Sequence, residues 1–149
     1  MYPLPLEKIV AFFEPLTEVE RRENLLAYAE RAKRCEPKAG EIFTVEDIRK
    51  DEECTDTVGI FLQVDPERRV RIRVTLGPQV QTLTRALAAI LCQGLEGATV
   101  DEVCALPADF VPKIIGAQLV RLRSQTVYYL LTRMKRAVQM LREREAGAS

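Results

Sequence analysis

Residues 58–76 read VGIFLQVDPERRVRIRVTL and contain two runs in which apolar and other residues alternate. The apolar positions of these runs are Val58, Ile60, Leu62 and Val64, then Val70, Ile72, Val74 and Leu76. The intervening residues 65–68, DPER, are typical of a turn. Alternation with a period of two places every second side chain on the same face of a strand. The pattern therefore predicts an antiparallel hairpin with one buried face.

Helical patterns precede this hairpin. Apolar residues at 9–13 indicate a short helix that Pro15 ends, and Thr17 with Glu20 forms a capping box for a second helix reaching about Lys33. A loop opens at residues 36–40. We predict that the charged residues 41–53 continue it as an irregular segment that ends just before the first strand.

Helical patterns also follow the hairpin. Gly77-Pro78 is typical of a helix start, and the apolar stripe behind it predicts a helix ending near Gly94 as its C-terminal cap. A capping box at 99–102 predicts a short helix, and a second short helix is expected from Pro107 to about Ile115. The longest helix comes last, with a stripe at Val127, Leu130, Leu131, Met134, Val138 and Leu141.

Together these elements predict an α+β fold in which helices pack on one face of a small antiparallel sheet. The 149 residues fit a single domain, 1–149, with residues 146–149 as a frayed tail. No apolar run approaches the ~20 residues that cross a bilayer, and the start of the chain lacks the pattern of a secretory signal. We therefore expect a cytoplasmic protein without a membrane segment.

The composition excludes several classes of function. The sequence has no histidine, so it has neither a Ser-His or Cys-His relay nor an imidazole metal site. Acidic and basic residues balance at 22 each, which gives no general attraction to nucleic acid. The arginines of the last helix, Arg133 among them, are interpreted as a solvated helix face. Arg69, Arg71 and Arg73 share one sheet face that keeps the sheet soluble or docks an acidic partner.

Cysteine chemistry is one class of function that the composition still allows. The four cysteines, Cys35, Cys54, Cys92 and Cys104, form no CxxC pair, so a zinc-ribbon site is disfavoured. Cys92 and Cys104 lie in apolar helices and are expected to be buried. Cys54 stands among polar residues at the junction of a loop and a strand, where an accessible thiol is expected. Its neighbours include acidic residues that oppose a thiolate and the basic Arg49 and Lys50 that favour one.

The order of these parts over residues 7–140 resembles the SufE-like sulfur acceptor family. In that family the cysteine loop reads Gly-Cys-Gln-Ser, one further residue, then Val-Trp. Residues 53–59 read ECTDTVG, which keeps the cysteine and the valine but has Glu53, Thr55, Asp56 and Gly59 at the other positions. Residues 97–103 (GATVDEV), followed by Asp109-Phe110, are similar to the connecting segment of the family. Residues 122–125 (LRSQ) resemble the signature that opens its last helix.

The resemblance implies a sulfur carrier that has no cofactor or metal of its own. Cys54 would accept persulfide sulfur from a pyridoxal-phosphate cysteine desulfurase, activate that enzyme, and deliver the sulfur to an iron–sulfur scaffold. Arg123 would offer positive charge to the thiolate or persulfide. Family members are often homodimers, so a homodimer is one expectation. The alternative is a non-catalytic interaction module on the same fold that has lost sulfur transfer. Partners that are nucleic acids or membranes are expected for neither.

Overall fold

The computed structural model of the protein describes residues 2–148. Its α-helices are α1 (Leu4–Phe13), α2 (Glu18–Glu30), α3 (Thr82–Gly94), α4 (Val100–Ala105), α5 (Phe110–Ile115), α6 (Ala117–Leu122) and α7 (Ser124–Ala148). Its strands are β1 (Val45–Arg49), β2 (Val58–Val64) and β3 (Val70–Leu76), and a short 3-10 turn spans Ala32–Cys35. The strands form an antiparallel sheet in the order β1-β2-β3. The predicted α+β class is confirmed.

The predicted hairpin is the β2–β3 pair, with Ile60 opposite Val74 and Leu62 opposite Ile72. The turn between the strands is closed by the Asp65 carboxylate, which accepts the backbone N–H groups of residues 67 and 69 at 2.9 Å each. Arg68 takes the positive φ of 64° that this tight connection requires.

Strand β1 corrects the prediction of an irregular segment at 41–53. It pairs with β2 over its whole length, with Val45 opposite Leu62 and Asp47 opposite Ile60. The sequence of β1 lacks the apolar alternation that indicates a strand, because its inward positions after Val45 are charged. Its other apolar residue, Ile48, points outward and is 57% exposed. The inward charge of Asp47 is matched by a buried arginine that comes from another part of the chain.

The core lies between the sheet and the helices. Helix α3 is buried over most of its surface and contacts α1, α2, α7 and β3, whereas α7 packs across β1 and β2. A helix that is apolar nearly all round belongs at the centre of a domain. The inward side chains of Ile60, Leu62 and Ile72 in the hairpin are at most 1% exposed beneath these helices.

Several helix boundaries differ from the prediction: α2 ends at Glu30 instead of about Lys33, and α5 begins at Phe110 instead of Pro107. Helix α3 begins at Thr82, so residues 77–81 form a connecting segment instead of a first helical turn. Gly94 is the last residue of α3 but not its cap, because Leu95 occupies that position. An added Cβ on Gly94 would lie 3.0 Å from Leu6 Cδ1, so this glycine allows α1 to approach α3 closely.

The two helix starts that have capping boxes lie where the sequence predicts them. Both predicted capping boxes, Thr17 with Glu20 and Thr99 with Glu102, are confirmed. Helix α7 continues through residues 146–148 instead of ending before a frayed tail, and Ser149 lies outside the described residues. Within residues 2–148, no helix combines the length and apolar character that a membrane crossing needs.

Candidate functional site

Cys54 lies in the loop of residues 50–57 that joins β1 to β2. The strand pair closes beneath this loop, with Arg49 opposite Val58. The Cys54 side chain is partly exposed and packs at the edge of the core, and its backbone N–H donates to the Asp51 carbonyl at 3.1 Å. Cys54 therefore stands on a hairpin loop whose two ends are held at fixed points, not on the end of a disordered segment.

The first half of the loop is anchored by Asp51. Its Oδ2 atom accepts hydrogen bonds from Tyr129 Oη at 2.8 Å and Arg49 Nε at 3.1 Å, and Arg133 lies 3.6 Å away. Burial raises the pKa of the Asp51 carboxyl, but hydrogen bonds from Tyr129 and Arg49 and the charges of Arg49 and Arg133 outweigh it, so the net pKa is lowered. Asp51 is therefore held as a carboxylate three residues before the cysteine.

Arg133 corrects the interpretation of the last helix as a solvated face. Its side chain is 2% exposed and donates to Asp47 Oδ2 at 3.2 Å, to the Asp47 carbonyl at 2.8 Å and to the Val58 carbonyl at 3.0 Å. It also donates to Tyr129 Oη at 2.6 Å. A buried guanidinium needs this full set of acceptors to offset its loss of hydration.

Tyr129 connects this arginine to the loop. Burial and the hydrogen bond to Asp51 raise the pKa of Tyr129 to about 12, although the Arg133 charge opposes the shift. Tyr129 and Arg133 are one helical turn apart, so both project from the same face of α7. The sequence signal that would have found Arg133 is its spacing, three residues after Leu130 and four before Ala137, both of which are buried.

The second half of the loop is anchored to residues 77–81. The Asp56 carboxylate accepts the backbone N–H groups of Thr57 at 2.7 Å and Gln79 at 2.8 Å, and these bonds lower its pKa. Thr55 Oγ1 donates to the Gln79 carbonyl at 2.6 Å. Gly77 leaves room for this carboxylate, because an added Cβ would overlap the Asp56 carboxyl group.

Arg123 contacts the same segment, residues 77–81. It stands between α6 and α7, and its guanidinium donates to the side-chain oxygen of Gln81. Within the described part of the chain, no hydrogen bond or ion pair joins Arg123 to Cys54. Both sequence-predicted site residues are thus linked to residues 77–81, which bind the cysteine loop through Gln79 and the arginine through Gln81.

A cavity of about 570 Å³ opens beside Arg123, between α2, α3 and α6. Its lining is mainly apolar, with positive charge at the rim from Arg22 and Arg123. Leu26, at this cavity, is 50% exposed. Leu122, the residue before Arg123 in the sequence, is 72% exposed.

The other cysteines divide between core and surface. Cys92 is buried as predicted, but Cys104 is partly exposed, because its thiol faces the polar Gln139 of α7 at 4.0 Å. Among residues 2–148, no group of three or more acidic or cysteine side chains has the arrangement to hold a metal ion.

Comparison with known proteins agrees with the architecture. The solution structure of a hypothetical protein from Thermus thermophilus matches with a TM-score of 0.69 and 24% sequence identity, covering 94% of this chain and 97% of that one. This likeness establishes the shared fold. No curated protein matches the chain.

Comparison with known protein families also gives a match. Residues 7–138 match the family model described as SufE, the Fe-S metabolism associated domain. The matched region includes the cysteine loop, the sheet, the 77–81 segment and most of α7. Because the match spans most of the chain, the protein belongs to the SufE family of Fe-S metabolism associated domains.

Proposed function

We propose that this protein is a sulfur acceptor that works through Cys54. The Cys54 thiolate attacks the terminal sulfur of a persulfide carried by a cysteine desulfurase. A new S–S bond forms on Cys54 as the S–S bond of the desulfurase breaks, and the desulfurase cysteine leaves as a thiolate. The transfer involves no net oxidation or reduction. Sulfur is then passed on for iron–sulfur cluster assembly in the cytoplasm.

The observation that carries the proposal is the position of the partly exposed Cys54 on the loop between two strands. A thiol that takes sulfur from a partner's active site must be accessible to that partner. Cys54 is partly exposed, and its loop is the connection between the edge strand β1 and the central strand β2. Membership of an Fe-S metabolism family supports the sulfur chemistry.

The desulfurase supplies the pyridoxal phosphate and generates the sulfane sulfur, so the carrier needs no cofactor. The chain contributes an accessible thiol and positive charge. Arg123 is proposed to stabilise the thiolate or persulfide once the loop moves toward it, since a guanidinium binds anionic sulfur without changing its own protonation. In the described structure this arginine binds Gln81, which would have to be exchanged for the sulfur anion.

The decisive experiment is intact-protein mass spectrometry after incubation with a cysteine desulfurase, pyridoxal phosphate and cysteine. Wild type is expected to gain the mass of one sulfur atom, which reductant removes and peptide mapping assigns to Cys54. The Cys54→Ser variant is expected to gain none. The matched control is Cys104→Ser, which removes another partly exposed thiol and is expected to label like wild type. Equal labelling of wild type and Cys54→Ser would refute the proposal.

A second candidate function, a docking module without sulfur transfer, is favoured by one observation. Thr55 and Asp56 tie the loop to Gln79 immediately after the cysteine, which restrains the movement that a carrier requires. The two functions separate in a pull-down with the desulfurase. A docking module binds equally as wild type and Cys54→Ser while neither protein gains sulfur, whereas a carrier gains sulfur only as wild type.

A further inference from the structure

A second thiol site lies apart from the cysteine loop, where the 3-10 turn Ala32–Cys35 meets α3. Cys35 Sγ lies 3.9 Å from the carbonyl oxygen of Ala88. In an α-helix, this carbonyl points toward the N–H group four residues later, which here belongs to Cys92. The Cys35 thiol therefore rests on the turn of α3 that carries Cys92, and both cysteines line the same cavity.

A cavity of about 430 Å³ reaches these two sulfur-bearing side chains. Cys35 is 7% exposed and Cys92 is 5% exposed, so both are shielded from large reagents but lie on a path that a small molecule can enter. The charged residues of this cavity are Arg31, Arg34, Arg73 and Glu96. Arg73 pairs with Glu96 at 3.2 Å, which leaves a net positive charge around the thiols.

The environment gives the two sulfur atoms different roles. The hydrogen bond from Cys92 lowers the pKa of Cys35, against the opposing effect of burial, and the Arg73 charge adds to the lowering. The same hydrogen bond and burial raise the pKa of Cys92. Cys35 is thus the sulfur that ionises first, while Cys92 keeps its proton and can supply it to a leaving group.

We propose that Cys35 and Cys92 form an oxidisable dithiol, a modification site for hydrogen peroxide that is separate from Cys54. The Cys35 thiolate attacks one peroxide oxygen and the O–O bond breaks, which leaves a sulfenic acid on Cys35. The other oxygen departs as hydroxide and becomes the first water by taking up the proton that Cys35 lost. Cys92 sulfur then attacks the Cys35 sulfur, and the second oxygen leaves as water, with the Cys92 proton. Two thiols lose two electrons to form one disulfide, and one peroxide becomes two waters. Thiol reductants reverse the modification.

The site does not depend on the proposed sulfur transfer, and the other two thiols are placed elsewhere. Cys54 is on the β1–β2 loop, and Cys104 faces Gln139 of α7. Neither lines the cavity that contains Cys35 and Cys92. A crosslink between Cys35 and Cys92 would join the segment before β1 to the central helix.

The test uses the full chain with Cys54→Ser and Cys104→Ser, so that only the proposed pair remains. The folded protein, checked by circular dichroism, is treated with one equivalent of hydrogen peroxide and then alkylated. The expected result is the loss of the mass of two hydrogen atoms, no alkylation, and a reducible crosslink between the peptides that contain residues 35 and 92. Adding Cys92→Ser to this background is expected to leave a sulfenic acid on Cys35 that a dimedone probe captures.

Two results would overturn the proposal. In the first, both thiols of the folded protein remain reduced and become alkylated after denaturation. In the second, Cys35 is oxidised to sulfinic acid without any crosslink to Cys92. Because the test protein lacks Cys54, neither result bears on sulfur transfer, and a failure to label Cys54 would leave the dithiol unaffected.

Discussion

Replacing Arg133 with methionine tests the buried network that anchors the cysteine loop. Methionine keeps an unbranched apolar stem but is shorter than arginine and removes every donor. The substitution deprives the Asp47 carboxylate of its 3.2 Å ion pair and leaves the carbonyl of Val58 without its 3.0 Å bond. Tyr129 Oη also loses a 2.6 Å donor.

The size of the expected stability loss follows from the burial of the Arg133 side chain. Hydrogen bonds to a charged group contribute about 1.5–3 kcal/mol each, but the guanidinium also incurs a large desolvation cost, so their sum overstates the net effect. Removing one partner of a buried ion pair costs about 3–5 kcal/mol, because the other charge stays buried. That range is a large share of the ~5–15 kcal/mol that stabilises a typical domain. We therefore expect the free energy of unfolding to fall by about 3–5 kcal/mol.

Urea denaturation followed by circular dichroism measures this change. The matched control is Arg136→Met, which makes the same substitution at an exposed position of α7 and should change stability by less than about 0.5 kcal/mol. If Arg133→Met costs no more than Arg136→Met, the buried arginine does not organise the sheet edge, and the account of the loop anchor is wrong.

Three further predictions concern the loop and a helix start. Gly77→Ala forces a Cβ into the Asp56 carboxyl and should destabilise the protein by about 1–3 kcal/mol, measured by thermal unfolding; adding Asp56→Ala should restore part of the loss. The pKa of Asp51 is lowered, so its contribution is complete above its unfolded pKa of ~3.9 and is lost as the pH falls through the lower folded value. Wild type should therefore be more stable than Asp51→Asn near neutral pH. Urea melts at decreasing pH should show that this stability difference shrinks once the pH falls below the unfolded pKa. Thr17→Ala removes the cap of α2 and should cost about 1 kcal/mol by urea denaturation, whereas Thr17→Ser keeps the hydroxyl and should lose much less.

The elements that the sequence predicts correctly are those whose signal is local. The hairpin needs only alternating apolar residues and a turn, and each capping box needs two residues three apart. Strand β1 lacks such a signal, because two of its three inward positions carry charge. Its stability depends on pairing with β2 and on an arginine some eighty residues later in the chain.

The same division holds for the candidate site. The sequence identifies Cys54 as a thiol in a polar loop, and resemblance to a family identifies Arg123. Neither observation reveals that the loop is the connection of a hairpin, or that residues 77–81 contact the loop through Gln79 and Arg123 through Gln81. These relations join positions that are distant in the chain.

The sequence by itself determined the secondary structure of the hairpin, the helix starts and the family of the chain. The tertiary structure decided which charged side chains are buried, how the cysteine loop is held and which cysteines meet. The physical reason is that propensity and capping act within a few residues, whereas the burial of Arg133 and the meeting of Cys35 and Cys92 at one cavity depend on surfaces that exist only after distant segments have packed together.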